Sequence, residues 1–459
     1  MNIDEYRKTL NGKTIAVIGL GISNVPLIKF LSKSDSYIYA LDKRSAEELA
    51  DTLNELRPLG VNFILGEDYL DKIPPEADMI FKTPGLRFDV PQLEKARQNG
   101  AIVTSDTELF FELCPAEIIG VTGSDGKTTT TTLIYEMLKK EGYKTFACGN
   151  IGNPLFKDLE KISAGDKVVL ELSSFQLHTL KKSPLISVIT NITPNHLNWH
   201  IDYNEYIEAK KNIFKYQNSG GITVLNADNE ITKSFSSICQ NPVLFSRKER
   251  LKDGICLDGK MISKFKNGAK SEEMLDIDKI RIPGMHNVEN YMAAIAALDG
   301  LVSIETIKYV AENFGGVPHR IEFVRELRGV KYYNDSIAST PARTAAGLIS
   351  FKQKLILIAG GYDKNISYTE FGEVVCENVK KLVLVGDTSE KIKNAVLSAK
   401  NYTGLPIYEF KNFEEAVNCA KDISEAGDVV ILSPASASFD MFKNFEERGN
   451  IFKKIVNSF

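Results

Sequence analysis

The stretch "GVTGSDGKTTTTT", Gly120–Thr132, continues the apolar run "EIIGV" and leads into "TTTTLIYEMLKK". A buried strand, a glycine-rich turn, one lysine and then a helix make the pattern of a loop that cradles phosphate. The strict form G-x-x-x-x-G-K-[ST] asks for glycine at Val121, so it fails by one residue. Its core of Gly123, Gly126, Lys127 and Thr128 is intact. Glycine lets backbone N–H groups converge on an anion, and the following helix aims its positive end there. Lys127 is placed to neutralise β/γ oxygens, and Thr128 to offer a hydroxyl to magnesium. A plain glycine turn with an incidental lysine is the competing reading. The strand before it and the helix after it count against that.

The same strand–loop–helix order recurs outward in both directions. "TIAVIGL", "YIYALD", "DMIFKT", "KVVLELS", "ISVITNI", "KLILIAGG", "KLVLVGD" and "DVVILSP" are apolar runs that end in glycine, serine, threonine or a polar loop. Such runs between amphipathic helices predict parallel sheets covered on both faces, with ligands at the carboxyl ends of strands. Three blocks emerge, 1–105, 106–316 and 317–459, the last two meeting within the Gly-Gly-Val-Pro stretch at 315–318. The 459 residues, 43% hydrophobic, suffice for several cores. A net charge of -4 gives no sign of a nucleic-acid partner. The N-terminus "MNIDEYRKTLNGK" is unlike a signal peptide, and no apolar run reaches the roughly 18 residues of a membrane helix. The six cysteines form no C-x-x-C pair, which counts against a zinc ribbon or a disulfide framework. A soluble cytoplasmic chain is the expectation.

In the first block, "IAVIGLGISN" followed by "IYALD" is close to a dinucleotide fingerprint, with Gly19 and Gly21 for the turn and Asp42 for a ribose. Asn24 stands where the third glycine belongs. Three readings stay open here: an NAD site, a plain glycine turn, or a pocket for the nucleotide part of a substrate.

Two further strands of the second block end in chemistry-bearing residues. Glu171 of "KVVLELSSFQL" lies among apolar neighbours, so its charge needs a partner: a magnesium ion beside ATP phosphates, or a salt bridge. His196 and His200 of "NITPNHLNWH" fall in a loop, where four-residue spacing does not make a zinc pair. "DYNEYIEAKKNIFKYQ" reads as a helix capped by Asp202. With Tyr203 at zero and about 100° per residue, Lys210 falls near 340°, in the middle of the apolar stripe. Lys211 falls near 80°, on its flank. A mid-stripe lysine is either snorkelling along the stripe or desolvated and neutral, able to add CO₂ and become a metal-binding carbamate. The sequence alone favours snorkelling.

The motifs together, "GVTGSDGKTTT", "GNIGNP", "LELSSFQL", "NITPNHLNWH", "YIEAKKNIF", "GMHNVEN", "GVPHRIE", "NDSIAST" and "LSPASASFDMFKNFEERGNIF", resemble the Mur ligases of peptidoglycan synthesis, in order and along the whole chain. The C-terminal motif is most similar to the branch that adds D-glutamate. The resemblance implies an α/β protein of three domains: a Rossmann-like UDP-substrate domain, a central P-loop ATPase-type domain with a parallel sheet, and a Rossmann-like amino-acid-binding domain. It implies UDP-N-acetylmuramoyl-L-alanine and D-glutamate as substrates, ATP and two magnesium ions as cofactors, and a monomer.

It also implies roles for single residues. Gly123, Ser124, Asp125, Gly126, Lys127, Thr128 and Thr129 would hold ATP phosphates, Asn287 and Asn290 would face adenine, and Arg320 and Asp335 the triphosphate and ribose. Thr128 and Glu171 would bind one magnesium, and His196 with a carbamate on Lys210 the other, which raises the carbamate reading above snorkelling. Gly21, Ile22, Ser23, Asp42, Lys43, Thr83, Pro84, Gly85 and Asn150 would contact the UDP-substrate; Ser339, Lys364, Ser438 and Phe445 would hold D-glutamate. The chain departs from the family pattern at Asp125, Asn195 and Asn198, and at Ile337, where lysine is common and to which no role carries over. A nucleotide switch, an NAD oxidoreductase and a folylpolyglutamate-synthase-like ligase are the rival readings.

Overall fold

The computed structural model describes residues 1–459 except Ile151, Gly152 and Asn198. Asn198 and the centre of "GNIGNP" therefore lie outside the described residues. Among the described residues three sheets form. The first has five parallel strands in the order Asn62–Leu65, Tyr37–Asp42, Thr14–Ile18, Met79–Phe81, Ile102–Thr104. Its strand order reverses at Thr14–Ile18, which puts a crevice at the loop starting with Gly19.

The second sheet has nine strands, with Glu117–Thr122 flanked in parallel by Lys167–Glu171 and Ile186–Ile189. The third has six strands and centres on Val429–Leu432, which pairs in parallel with Val330–Asn334 and Leu355–Ala359. Central strands such as Leu355–Ala359 are buried along their whole length. Each such Val, Leu or Ile contributes about 1.5–3 kcal/mol of burial, which is why these runs read as unbroken apolar sequence.

The parallel reading fails at two edges. Gly254–Asp258, Met261–Lys266 and Ala269–Asp276 form an antiparallel meander, and Glu322–Leu327 pairs antiparallel with Val330–Asn334. The cause is turn chemistry. Asn267 and Gly268 both have positive φ (54° and 78°), as do Arg328 and Gly329 (52° and 78°). Two left-handed residues in succession reverse the chain within a tight hairpin.

Contacts divide the chain into two compact units, 1–276 with 289–310, and 277–288 with 311–459. The first two sheets share a unit. No described helix is long and apolar enough to cross a membrane.

Candidate active site

The phosphate loop joins the strand Glu117–Thr122 to the helix Lys127–Glu141. Gly123 and Gly126 have positive φ, and a Cβ at either would overlap the Thr190 hydroxyl or the Asn290 amide oxygen respectively. No other residue fits, so the backbone is free to approach a ligand. Gly126 caps the helix without a side chain, so the first-turn N–H groups face an anion site. Lys127 Nζ donates to the carbonyls of Gly123 and Ser124 at 2.9 and 2.8 Å, curled over the loop. Thr128 and Thr129 lie buried in the first turn. The Asp125 N–H donates to the Asn191 side chain, and the Ser124 hydroxyl meets Tyr206 and the Thr193 carbonyl. Ser124 thus shapes the loop from inside. Asn290 packs against the loop, accepting from Thr130.

Glu171 pairs in register with Val121, one strand over from the loop, and is 1% exposed. Its Oε1 accepts from the Asn150 side chain at 2.6 Å, while Oε2 has no hydrogen-bond partner among the described residues. A buried carboxylate with one orphan oxygen suits an oxygen-seeking dication. Asn150, expected at the UDP-substrate, donates its side-chain amide to Glu171 in this structure.

Lys210 occupies the buried face of the helix Tyr203–Lys215 with Tyr206, Ala209, Ile213 and Phe214, as the helical angle requires. It is 2% exposed, and its Nζ donates to the Thr122 hydroxyl at 3.1 Å and the Gly123 carbonyl at 2.9 Å. The snorkelling reading is thereby corrected: the amine points inward to the phosphate loop, not out to water. Burial first, then the Lys127 charge, drives its pKa well below the ordinary lysine value, with Glu171 and Asp125 pulling the other way. Lys211 sits on the flank, paired with Glu208.

His196 adopts positive φ (55°) and sets its ring edge-on against Phe175 at 4.9 Å. Burial first, then the charges of Lys127 and Lys210, lower its pKa, which favours the neutral form of the ring that binds metals. His200 is not its twin. It is buried against Ser174 and pushed down to about 4 by burial. With His178 and Glu205 it forms a cluster of metal-ligand type. Arg87 already grips both Glu205 oxygens at 3.0 and 3.1 Å, so the positive charge there is the protein's own.

In the first sheet, Gly19 (φ 90°) lets the turn pack on Thr83. Asp42 does not wait for a ribose: it accepts from the Leu20 N–H at 2.7 Å and from Arg44, which holds its pKa down against burial. Asn24 replaces the third glycine by tying its amide to the Ile18 and Gly19 carbonyls. Beside them a cleft of about 750 Å³ is lined by Gly21, exposed Ile22, Arg44 and Phe156. Arg44, unforeseen from sequence, gives that cleft a cation. Ser23 precedes the helix Asn24–Leu31, Lys43 is exposed, and Pro84 and Gly85 lie in the Thr83 loop, where Gly85 accepts from the Trp199 indole.

In the second unit, Asn287 donates to the Pro283 carbonyl and Arg320 is half-buried. Asp335 is buried and pushed up to about 7 by desolvation; its oxygens accept from the Ile321 N–H and the Ser433 hydroxyl. Its carboxyl is engaged inside the fold in this structure. Lys364 is exposed, with Nζ 6.0 Å from the Phe439 ring. Ser438 is buried beside it in sequence, Ser339 is half-buried, and Phe445 sets its ring edge-on to His319 at 5.9 Å. Ile337 donates its N–H to His319, a backbone role open to any side chain.

A glycine loop on a parallel sheet, an orphan carboxylate and a buried lysine at its edge define a nucleotide-dependent enzyme of the P-loop type. Sequence comparison makes this specific. A Mur ligase middle-domain model matches residues 121–298, a Mur ligase glutamate-ligase-domain model 319–436, and a MurD-like N-terminal-domain model 13–105. The chain belongs to the Mur ligase family. It is 52% identical, over 99% of its length and 98% of the relative's, to the UDP-N-acetylmuramoylalanine–D-glutamate ligase of Acetivibrio thermocellus. It is 50% identical to the same-named protein of Clostridium kluyveri, over 99% of both chains. Among solved structures, the UDP-N-acetylmuramate–alanine ligase of Thermotoga maritima shares the fold (TM-score 0.59, 22% identity, 97% of this chain and 99% of that one).

Proposed function

We propose that the chain is an ATP-dependent ligase that joins D-glutamate to UDP-N-acetylmuramoyl-L-alanine in peptidoglycan precursor synthesis. The observation that carries this is the meeting of Lys210, Thr122 and Gly123 at the phosphate loop, one strand from the orphan oxygen of Glu171. A nucleotide switch needs no buried lysine amine there, and the full-length match to D-glutamate ligases supports the substrate. The Asp42–Arg44 pair and Asn24 also disfavour the NAD reading.

A carboxylate does not condense with an amine at neutral pH, because its leaving group is oxide or hydroxide. Transfer of the γ-phosphoryl group to the L-alanyl carboxylate gives an acyl phosphate and ADP. The D-glutamate amine then attacks that carbonyl, and phosphate departs from the tetrahedral adduct. The loop N–H groups and Lys127 hold the triphosphate and stabilise charge on the transferring group. Thr128 and Glu171 would hold one magnesium ion, and His196 with carbamylated Lys210 a second; bound there, magnesium screens the two anions that must meet. The lone pair of the Lys210 amine adds to CO₂ and the nitrogen loses a proton to solvent, leaving a carbamate anion in place of a cation. Arg44 and the Gly21–Ser23 turn would hold the diphosphate, with Lys43 and the Thr83–Gly85 loop flanking it. Asn287, Asn290 and Arg320 would complete the ATP site, and Lys364, Ser438, Ser339 and Phe445 the amino-acid site.

This reading carries three domains, 1–105, 106–316 and 317–459, in a cytoplasmic monomer, where all three substrates are found together. Incubation with ATP, magnesium, the UDP-sugar and a panel of amino acids tests it. ADP release should require both the UDP-sugar and D-glutamate. Release with NAD-type substrates only, or with no amino acid, contradicts the reading.

A further inference from the structure

Arg448 is the largest side chain buried to this degree in the molecule's described residues, at 2% exposed. Its four hydrogen bonds all go to uncharged oxygens: Nε to the Ser336 hydroxyl at 3.0 Å, Nη1 to the Ala437 carbonyl at 3.0 Å, Nη2 to the Ser336 carbonyl at 2.9 Å and to the Ser436 carbonyl at 3.1 Å. A buried guanidinium bound to neutral acceptors is costly, because desolvation is not repaid by an opposite charge. Burial brings it down only to about 10, so it keeps its charge at neutral pH; Asp440 acts on it at longer range. Leucine or methionine would serve a purely structural role at less cost.

Its partners show where that charge is used. Ser336 lies in the loop after Val330–Asn334, and Ser436 and Ala437 in the loop after Val429–Leu432, neighbouring strands whose carboxyl ends open side by side. The Ser336 hydroxyl passes the link on by donating to the Phe445 carbonyl at 2.8 Å. The Ala437 carbonyl also accepts from the Tyr362 N–H at 2.9 Å, which ties in the loop bearing Lys364. A Cβ at Gly361 would overlap the Ala437 carbonyl and press on the guanidinium. The planar fork therefore ties two loops, those carrying Ser339 and Ser438, to its own helix, which starts at Phe445, and through Ala437 it reaches the loop of Lys364. A guanidinium holds several acceptors in one plane, which an ammonium does not.

We infer that Arg448 is a positioning residue for the amino-acid substrate: it sets the serine loops and the Lys364 loop around the D-glutamate carboxylates and adds a buried positive charge beneath them. This rests on the reading of Lys364, Ser438, Ser339 and Phe445 as the D-glutamate site. Steady-state kinetics of Arg448→Lys, with each substrate varied in turn, tests it, with Lys364→Ala as a parallel arm. The KM for D-glutamate should rise about tenfold or more in Arg448→Lys, the effect of about one lost charge-assisted hydrogen bond on the ligand. The KM values for ATP and the UDP-sugar should stay within about twofold, whereas a merely structural defect lowers kcat for all substrates alike. If Lys364→Ala raises the D-glutamate KM and Arg448→Lys does not, the inference is wrong and the site reading survives. If Lys364→Ala also leaves that KM unchanged, the site reading fails and takes the inference with it. Should Arg448→Lys not fold, Ser336→Ala, which deletes one acceptor of the fork, must show the same selective rise; an unchanged D-glutamate KM overturns the inference.

Discussion

Lys210 and Lys211 are neighbours in sequence with opposite surroundings, one inside against the phosphate loop and one on the surface beside Glu208. Lys210→Ala should lower kcat by about 10²–10³-fold, the usual loss of one preorganised charge-stabilising group, and short carboxylates added to the assay should partly restore it. Lys211→Ala removes only a surface ion pair and should change activity and stability by less than about 1 kcal/mol. The opposite pattern in the two mutants would contradict the assignment. Glu171→Gln keeps the shape and the Asn150 contact while removing a buried charge with an orphan oxygen. Thermal unfolding of the metal-free protein should show a gain of about 1 kcal/mol, while ligase activity falls and its magnesium requirement rises. A variant that is both destabilised and indifferent to magnesium would deny Glu171 the metal role. Lys210 was legible because a helical wheel exposes a charge on an apolar stripe. The same signal marks Arg448: with Phe445 at zero it falls near 300°, among Phe452, Ile455 and Val456. Whether such a charge snorkels or buries depends on what packs opposite, and only the fold supplies that.

At the scale of elements, the helix Tyr203–Lys215 is held at its start by more than its Asp202 cap. Arg87, from the loop after Met79–Phe81, reaches Glu205 in the helix's first turn and the Trp199 carbonyl, and stacks 5.1 Å from the Trp199 ring. It joins the Thr83–Gly85 loop to the segment bearing His196 and Lys210. A double-mutant cycle of Arg87→Ala and Glu205→Gln should give a coupling of about 1 kcal/mol, since both groups are only part-buried. The pH sense follows from Glu205, which the Arg87 hydrogen bond lowers from 4.5 to about 2. Its folded pKa lies below its unfolded one, so its stabilisation is complete above about 4.5 and is lost as pH falls through about 2. Acid unfolding scans should show the gap between the unaltered protein and Arg87→Ala narrowing across that window. An equal gap at pH 7 and pH 2.5 would mean the pair is idle. The antiparallel edges carry no continuous apolar run. The strands of the meander are mixed in polarity, and their best signal is the Asn267-Gly268 dipeptide, a turn cue rather than a strand cue.

For the whole molecule, three sheets each end their central parallel strands in loops with recognisable chemistry: Gly19 and Arg44, the phosphate loop with Glu171, and the Ser336 and Ser436 loops. That rule made the site broadly legible, because carboxyl ends of parallel strands can be found from apolar runs alone. What stayed hidden were side chains satisfied within the fold. Asp42, Asp335 and Asn150 have the right residue types to touch ligands, and the fold also gives them protein partners in Arg44, Ser433 and Glu171. Sequence gives a polar group's capacity and not its partner. The proposed mechanism spends ATP on the acceptor carboxylate. With both oxygens of the L-alanyl carboxylate of the UDP-sugar labelled with ¹⁸O, turnover with ATP and D-glutamate should release ADP and inorganic phosphate carrying one ¹⁸O, with the other retained in the new amide. Amide formation with unlabelled phosphate, or with AMP as the nucleotide product, would contradict it.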